Sequence, residues 1–337
     1  MTRILAIATG LCSTAMAFGV VDVTIQEWEV PTANSRPHDP AVGQDGSLWY
    51  TGQLANKIGH LVDENTGAIE EYPLDIGNSG PHGLVADSEG NIWFTANSAG
   101  YVGKLDPTTG EIAHYFMPDE RARDPHTPIF DQNGILWFTV ETGNFVGRLD
   151  PASGEIVLRQ PPTPAAQPYG MQVDAEGFPF FCEFGTNKIA RIDPDSLEIS
   201  EYVVTPGARP RRLTITTDGS IYYSDFARGF LGRLDPNTGE VHEWLSPGGT
   251  ASQPYGIAST ADGVVWYSES GVQPNTLVRF DPRDESFERW PIPSGGGVIR
   301  HMVATPDGRL YIACSGVNMV GIVTVNGASN SRVRRAF

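Results

Sequence analysis

Short runs of apolar and aromatic residues recur along the chain at a nearly constant interval, and each run follows a turn made of an acidic or amide residue and glycine. The turns are Asp45-Gly46, Glu89-Gly90, Asn133-Gly134, Glu176-Gly177, Asp218-Gly219, Asp262-Gly263 and Asp307-Gly308, at steps of 42 to 45 residues. The runs after them include Leu48-Trp49-Tyr50, Ile92-Trp93-Phe94 and Val265-Trp266-Tyr267. Because aromatic and β-branched residues favour strands, the pattern predicts seven copies of one β unit.

A second turn divides each unit further. It follows a third strand such as Val102 to Leu105, and it recurs as Asp106-Pro107, Asp150-Pro151, Asp193-Pro194, Asp235-Pro236 and Asp281-Pro282. Proline presets the dihedral angle of such turns, so these segments predict hairpins. A fourth strand, for example Glu70 to Pro73, ends each unit. Four short antiparallel strands in about 44 residues are typical of one propeller blade, so the sequence predicts an all-β, seven-bladed β-propeller.

The seventh unit ends near Val325 and lacks a fourth strand of its own. The segment from Gln26 to Pro31 precedes the first unit and has the composition of the outer strands. We expect this N-terminal strand to complete the last blade and close the ring, because an open ring would leave unpaired strand edges. An open β-solenoid and a pair of β-sandwiches are the alternatives.

The first residues have the pattern of a secretory signal peptide. Met1-Thr2-Arg3 precedes the apolar run Ile4 to Ala8, and Ala15-Met16-Ala17 offers a cleavage site of small residues. The sequence therefore predicts a signal peptide over residues 1–17, a single propeller domain over residues 18–337, and a secreted or periplasmic location. No segment has the length of a membrane span.

The charge of the chain bears on its partners. Lys and Arg number 23 and Asp and Glu number 40, which gives a net charge of -17. Such a protein repels nucleic acid and anionic lipid surfaces at long range, so we expect a monomer without a nucleic-acid partner. A cationic or neutral small molecule, or a metal ion, is the expected ligand. Removal of the signal peptide takes Cys12 and leaves Cys182 and Cys314 in different units, so no disulfide is expected.

One polar residue in each unit stands near the start of the first strand, which in a propeller lines the central channel. These residues are His38, His82, His126, Tyr169, Arg211, Tyr255 and His301. Proline precedes six of them and fixes the backbone there. We expect the seven side chains to face one channel mouth and to bind a small-molecule substrate. A polar lining that was copied with each blade is the alternative.

Carboxylates join this ring in the third unit. Asp124 lies two residues before His126, and Glu141 follows the inner hairpin. Oxygen ligands suit Mg²⁺, with Mn²⁺ as the alternative, and a neutral imidazole can act as a general base near pH 7. The prediction is that Asp124 and Glu141 hold the metal, that His126 is the catalytic base, and that His82 completes the site. A salt-bridged channel lining is the alternative.

Several sequence segments of the repeat resemble those of the streptogramin B lyase (virginiamycin B lyase) family. They are Asn56-Lys57-Ile58-Gly59, Pro81-His82-Gly83-Leu84, Ile92 to Asn97 and Asn187 to Ile192, and the resemblance covers essentially the whole mature chain. It implies a metal-dependent carbon–oxygen lyase that opens a cyclic depsipeptide at its ester by β-elimination. In that family a histidine abstracts the proton α to the ester carbonyl, and Mg²⁺ held by two acids stabilises the enolate.

The resemblance also implies where this machinery should lie. The family places a Pro-His in one late blade, then an acid-Pro-His in the next with a further acid three residues past its aromatic. The matching positions are Tyr255, Ile299, His301 and Cys314. Three of the four residue types are therefore missing, and our hypothesis is a site rotated to units two and three. Further acids, outside this site, are Glu183, Asp225 and Glu269.

The expected function is metal-assisted opening of a cyclic ester or lactone by elimination. A non-catalytic propeller that binds a ligand or protein, and a lactonase-like hydrolase in which metal-bound water attacks the ester, are the alternatives. The sequence contains no Gly-x-Ser-x-Gly elbow, no P-loop and no cysteine-rich metal motif, which argues against serine hydrolases, nucleotide binding and structural zinc.

Overall fold

The computed structural model describes residues 21–326, which form seven four-stranded antiparallel sheets. The first sheet contains β2 (Pro37–Val42), β3 (Leu48–Gly52), β4 (Lys57–Asp63) and β5 (Ala68–Pro73). The second contains β6 (Pro81–Ala86), β7 (Ile92–Ala96), β8 (Tyr101–Leu105) and β9 (Ile112–Phe116). The third contains β10 (Pro125–Phe130), β11 (Leu136–Val140), β12 (Phe145–Leu149) and β13 (Ile156–Arg159). Each sheet is one blade, with its strands in sequence order.

The fourth blade contains β14 (Pro168–Val173), β15 (Pro179–Glu183), β16 (Lys188–Ile192) and β17 (Ile199–Val203). The fifth contains β18 (Pro210–Ile215), β19 (Ile221–Asp225), β20 (Phe230–Leu234) and β21 (Val241–Leu245). The sixth contains β22 (Pro254–Ser259), β23 (Val265–Glu269), β24 (Thr276–Asp281) and β25 (Ser286–Pro291). The seventh contains β26 (Ile299–Ala304), β27 (Leu310–Cys314), a 3₁₀ turn (Ser315–Val317), β28 (Met319–Asn326) and the N-terminal β1 (Asp22–Glu29). The predicted seven-bladed propeller is thus confirmed.

The N-terminal strand closes the ring as expected. β1 pairs with β28 over its full length, from Asp22 opposite Asn326 to Glu29 opposite Met319. The strand begins four residues earlier than the sequence pattern suggested, since Val23 and Ile25 pack against the core of the seventh blade. The first strand of each blade also contacts the first strand of the next, and β26 contacts β2. The strands therefore surround a central channel without a gap.

A glutamate of β1 makes the same pair of hydrogen bonds to a loop residue that a glutamate of the fourth strand makes in another blade. In the fourth blade, Glu201 accepts hydrogen bonds from the backbone N–H and the hydroxyl of Thr163, both at 2.8 Å. In the seventh blade, Glu27 accepts the same pair from Ser294, at 2.8 Å from the N–H and 2.6 Å from the hydroxyl. Because these two residues are 267 positions apart, the contact ties the beginning of the described chain to its end.

The core lies between neighbouring blades and consists largely of the aromatic residues of the second strands. Trp93, Phe94, Trp137 and Phe138 are each 0–1% exposed. Phe94 lies directly on Gly103 of the third strand, where an added Cβ would overlap the phenyl ring. The repeated glycine of the third strand is therefore a packing requirement.

Two further expectations concern the described residues. Cys182 and Cys314 are free and buried, as expected for cysteines in different blades. Within residues 21–326, no helix has the length and apolar character needed to cross a membrane. The predicted signal peptide, residues 1–17, lies outside the described residues.

Candidate functional site at the channel mouth

Side chains from the starts of the first strands stack around one end of the channel. The imidazole centroids of His38 and His82 lie 3.8 Å apart, and those of His82 and His126 also lie 3.8 Å apart. The ring of His126 lies 4.0 Å from that of Tyr169, and the hydroxyls of Tyr169 and Tyr255 are hydrogen-bonded to each other. All five side chains are buried, with at most 5% of their surface exposed. Five of the seven predicted side chains therefore lie together at the channel mouth.

The seventh member of the ring is Arg300, and the prediction of His301 at this position was wrong. In six blades a proline begins the first strand and pairs with the last residue of the second strand. In the seventh blade Ile299 takes the place of this proline, since it pairs with Cys314. The next residue, Arg300, is therefore equivalent to His38, and His301 is equivalent to Asp39. Because no proline precedes this ring position in the seventh blade, the sequence does not mark the start of the strand there. The predicted residue is therefore one position too far along the chain.

Hydroxyl groups hold these strand starts together, and the sequence analysis missed their role. The Oγ1 atom of Thr51 accepts a hydrogen bond from the N–H of Asp39 at 3.0 Å and donates to the carbonyl of His82, in the next blade, at 2.9 Å. Thr95 bridges Gly83 and the carbonyl of His126 in the same way, at 2.8 and 2.6 Å. The available signal was the Thr or Ser that follows the aromatic pair in most second strands. These bridges set the position of each ring residue relative to the next blade.

An ion pair crosses the channel below the ring. Arg212 Nη2 of the fifth blade donates to both carboxylate oxygens of Asp39 in the first blade, at 2.9 and 3.0 Å. Both side chains are 1% exposed. His38 Nδ1 lies 2.8 Å from the same carboxylate. Burial raises the pKa of Asp39, but Arg212 and the nearby histidines outweigh it and hold that pKa well below its usual value. The pair links opposite sides of the ring.

The histidines of the mouth are neutral near pH 7. Burial lowers the pKa of His38 to about 4 and that of His301 to about 3. Burial also lowers the pKa values of His82 and His126 well below the usual value for histidine, and positive neighbours such as Arg212 add to the effect. Neutral imidazoles retain one nitrogen that can accept a proton.

Arg211 is held at the mouth by aromatic rings. Its guanidinium carbon lies 3.9 Å from the ring centroid of Tyr255, 4.3 Å from that of Phe226 and 4.7 Å from that of Phe184. Its Nη2 donates to the hydroxyl of Tyr169 at 3.3 Å, whereas its Nε is buried without a hydrogen-bond partner. Cation–π contacts of this kind fix a charged group without neutralising it.

The predicted metal site of the third blade comes together only in part. Glu141 Oε2 lies 3.7 Å from His126 Nε2, and the Glu141 side chain is 27% exposed. Partial burial raises the pKa of Glu141, although Arg211 opposes the shift. The carboxylate of Asp124 instead accepts hydrogen bonds from the backbone N–H groups of Thr142 and Gly143, at 2.5 and 3.0 Å. Asp124 therefore fixes the loop that carries Glu141.

The donor set does not fit a metal ion at this position. Within residues 21–326, the one group of three potential ligands whose atoms lie within 4.8 Å of one another is His38, Asp39 and His82. Arg212 and His38 already occupy the carboxylate of Asp39. The predicted set of Asp124, Glu141, His126 and His82 does not converge on one point. Mg²⁺ and Mn²⁺ thus stay predictions, and the ligands predicted for them do not come together among the described residues.

The acidic residues of the fourth, fifth and sixth blades, Glu183, Asp225 and Glu269, are buried. They accept hydrogen bonds from neighbouring residues. Asp225 accepts a hydrogen bond from the Nε of Arg228 at 2.6 Å. Glu269 accepts from the N–H of Gly248 and from the hydroxyl of Thr276, both at 2.5 Å. Glu183 lies near Glu201, and burial together with that second carboxyl raises its pKa to about 7.

The protein is thus a seven-bladed β-propeller. Imidazole, phenol and guanidinium groups stack in its channel mouth. The profile of the Virginiamycin B lyase family matches residues 13–249 and 198–332. The chain belongs to this family. Among curated protein sequences, none matches the chain significantly.

Solved structures agree with this assignment. A streptogramin B lyase is 26% identical, with a TM-score of 0.81, over 90% of this chain and 98% of its own. Virginiamycin B lyase from Staphylococcus aureus gives the same identity and TM-score over 90% and 99% of the two chains. A catalytically inactive form of that enzyme with quinupristin superposes with a TM-score of 0.80. Hydrazine synthase of Kuenenia stuttgartiensis, at 15% identity and a TM-score of 0.74, shares the fold alone.

The corrected register changes the comparison with the family's site. The acid-Pro-His of the family now corresponds to Val298, Ile299 and Arg300, and the further acid corresponds to Cys314. The thiol of Cys314 is buried and lies 3.3 Å from a carboxylate oxygen of Glu27. The seventh blade thus lacks the histidine and both acids of the family's pattern.

Proposed function

We propose that this protein is a lyase-type enzyme that opens a small cyclic ester or lactone at the channel mouth, with Glu141 as the general base and His126 as the residue that positions it. The observation that carries the proposal is the 3.7 Å approach of these two side chains beside Arg211. Membership of the family supports elimination as the reaction type.

The exposure of the two groups supports a division of roles that differs from the sequence prediction. His126 is 1% exposed, whereas 27% of the Glu141 side chain is accessible from the mouth. A substrate therefore reaches Glu141 first. The raised pKa of Glu141 brings the carboxylate closer to the range in which a general base works well. His126, whose buried imidazole stays neutral, positions Glu141 through the 3.7 Å contact.

The proposed step is balanced without water. Glu141 takes the proton from the carbon next to a carbonyl, and the electron pair of the C–H bond forms a carbon–carbon double bond. The β carbon–oxygen bond breaks, and the oxygen leaves with its electron pair as a carboxylate. Arg211 carries the positive charge that would stabilise the enolate as it develops, since its guanidinium is fixed and keeps a free Nε.

Product mass separates the enzyme hypotheses. Cyclic esters and lactones are incubated with the protein and analysed by mass spectrometry. Elimination leaves a product with the mass of the substrate and a new ultraviolet absorption, whereas hydrolysis adds one water. We expect the unmodified protein to lose activity at low pH as Glu141 is protonated, and Glu141→Gln to abolish turnover while the melting temperature stays unchanged. Glu111→Gln, on an exposed turn, is the matched control.

Calorimetry tests the metal prediction separately. Mg²⁺ and Mn²⁺ are titrated into the unmodified protein and into Glu141→Gln. Stoichiometric binding that is lost in Glu141→Gln would restore the metal-assisted mechanism. Turnover that persists in a chelator supports the metal-free scheme.

A non-catalytic binding propeller is the second candidate, because Val298, Arg300 and Cys314 occupy the positions of the acid, the histidine and the further acid in the family's pattern. Wild-type turnover that Glu141→Gln leaves intact, or no turnover on any ester, would refute the role of Glu141 as the base. Ligand binding without turnover would establish this second function.

A further inference from the structure

A cavity of about 270 Å³ opens at the channel mouth between the seventh and first blades. Its lining includes two arginines, Arg36 from the loop before β2 and Arg300 from the start of β26. Leu54, which is 66% exposed, forms part of the rim. The cavity therefore offers two guanidinium groups and an apolar edge, and its size suits a small organic molecule.

Neither arginine of this cavity has an acidic partner. Among residues 21–326, no carboxylate lies within 4.0 Å of Arg36 or Arg300, and neither side chain donates a hydrogen bond. The Nε of Arg300 is buried. Burial lowers the pKa of Arg36, and the charge of Arg300 lowers it further. Two like charges thus share a partly buried site, which is unfavourable until an anion enters it.

The acids near the mouth cannot neutralise the pair. Asp39 already binds Arg212 through both of its oxygens. Glu141 lies close enough to Arg211, Asp124 and Arg209 to be affected by their charges. Five guanidiniums, those of Arg36, Arg209, Arg211, Arg212 and Arg300, therefore outnumber the three carboxyls of Asp39, Asp124 and Glu141. The mouth is locally positive although the whole chain has a charge of -17.

We propose that Arg36 and Arg300 form a binding site for the carboxylate or phosphate group of a small organic anion, whose apolar part rests against Leu54. The planar forks of two guanidiniums match the oxygens of such groups, and charge-assisted hydrogen bonds would satisfy the free Nε of Arg300. The site reverses the ligand charge that the net charge of the chain suggested. It does not depend on the proposed elimination, because binding needs no turnover.

Four probes of similar size test the proposal on the unmodified protein by isothermal titration calorimetry. Benzoate and phenyl phosphate carry the two anionic groups, benzamide is the neutral isostere of benzoate, and phenyltrimethylammonium is the cation. We expect one anion to bind once per chain with a Kd of about 1 mM or below, and benzamide to bind at least tenfold more weakly. The stronger anion identifies the headgroup. Inorganic phosphate tests whether the headgroup alone suffices.

Single substitutions assign the binding to the two arginines. Arg36→Gln keeps a residue type that the chain already uses in the same conformation, since Gln167 and Gln253 precede the equivalent prolines with φ of 53° and 49°. Arg36→Gln and Arg300→Gln should each weaken anion binding about tenfold or more. Arg159→Gln is the control, because it removes the same charge from an exposed strand far from the mouth.

Three results would overturn the proposal. They are equal binding of benzoate and benzamide, preferential binding of the cation, and the absence of saturable binding of every anion at millimolar concentration. Unchanged affinity in both folded arginine variants would also overturn it. Because the probe comparison uses the unmodified chain, it decides the matter even if a variant fails to fold. Turnover of an ester by Glu141 is measured separately, so either idea can fail alone.

Discussion

The ion pair across the channel gives the sharpest test of how the ring is held together. Asp39→Asn keeps the size of the side chain and removes its charge. The guanidinium of Arg212 then stays buried without a counter-ion, and its Nε and Nη1 already lack hydrogen-bond partners. We expect the variant to fold and to be clearly less stable than the unmodified protein.

The size of the effect follows from the geometry. Both side chains are 1% exposed and are joined by two hydrogen bonds of 2.9 and 3.0 Å. Removal of one partner of such a pair costs about 3–5 kcal/mol, whereas an exposed pair contributes about 0–1 kcal/mol. A loss of about 3 kcal/mol would lower the melting temperature of a chain of this length by about 4–5 °C.

A double-mutant cycle at neutral pH separates the charge effect from packing. Asp39→Asn, Arg212→Met and the double variant are compared by urea unfolding and by thermal melting. Because the double variant buries no unpaired charge, it should cost at least about 2 kcal/mol less than the sum of the single variants. Glu64→Gln breaks the exposed pair with Arg309 and serves as the control.

Additive single effects would refute this reasoning. So would an Asp39→Asn variant that loses no more stability than Glu64→Gln. Either result would mean that water or a rearranged neighbour solvates Arg212, and the ion pair would then not be a link across the ring.

Two further predictions concern stability. Glu183 has a pKa of about 7, above the ordinary value of 4.5, so the folded state holds its proton more tightly than the unfolded state. The contribution of Glu183 to the free energy of unfolding is present below pH 4.5 and is lost as the pH rises towards and through 7. Glu183→Gln should therefore stabilise the protein at pH 8, by up to about 3 kcal/mol, and have little effect at pH 4. Equal effects at both pH values in urea titrations would contradict this. A chain that begins at Thr32 lacks β1 and should aggregate or oligomerise through the exposed edge of β28, as measured by size-exclusion chromatography. A monomer with an unchanged melting temperature would show that closure by β1 is not required.

The sequence by itself determined the fold, because the fold depends on local chemistry that is repeated in every unit. Gly46 and the other turn glycines adopt positive φ, 82° at Gly46, and a proline begins the first strand in six blades. Each signal acts over a few residues, so each can be read without knowledge of the rest of the chain. The missing strand of the last unit and the spare strand before the first one predicted the closure, since unpaired edges are unfavourable.

Only the tertiary structure decided what the mouth can do. Asp39 and Arg212 are 173 residues apart and meet only because the ring closes. The carboxylate of Asp124 matched the expected ligand type, yet its backbone partners appear only when the loop of Glu141 is folded. Arg300 enters the ring because the pairing of Ile299 with Cys314 sets the register. Side-chain partners at a shared opening depend on all seven blades together, whereas the repeat describes one blade at a time.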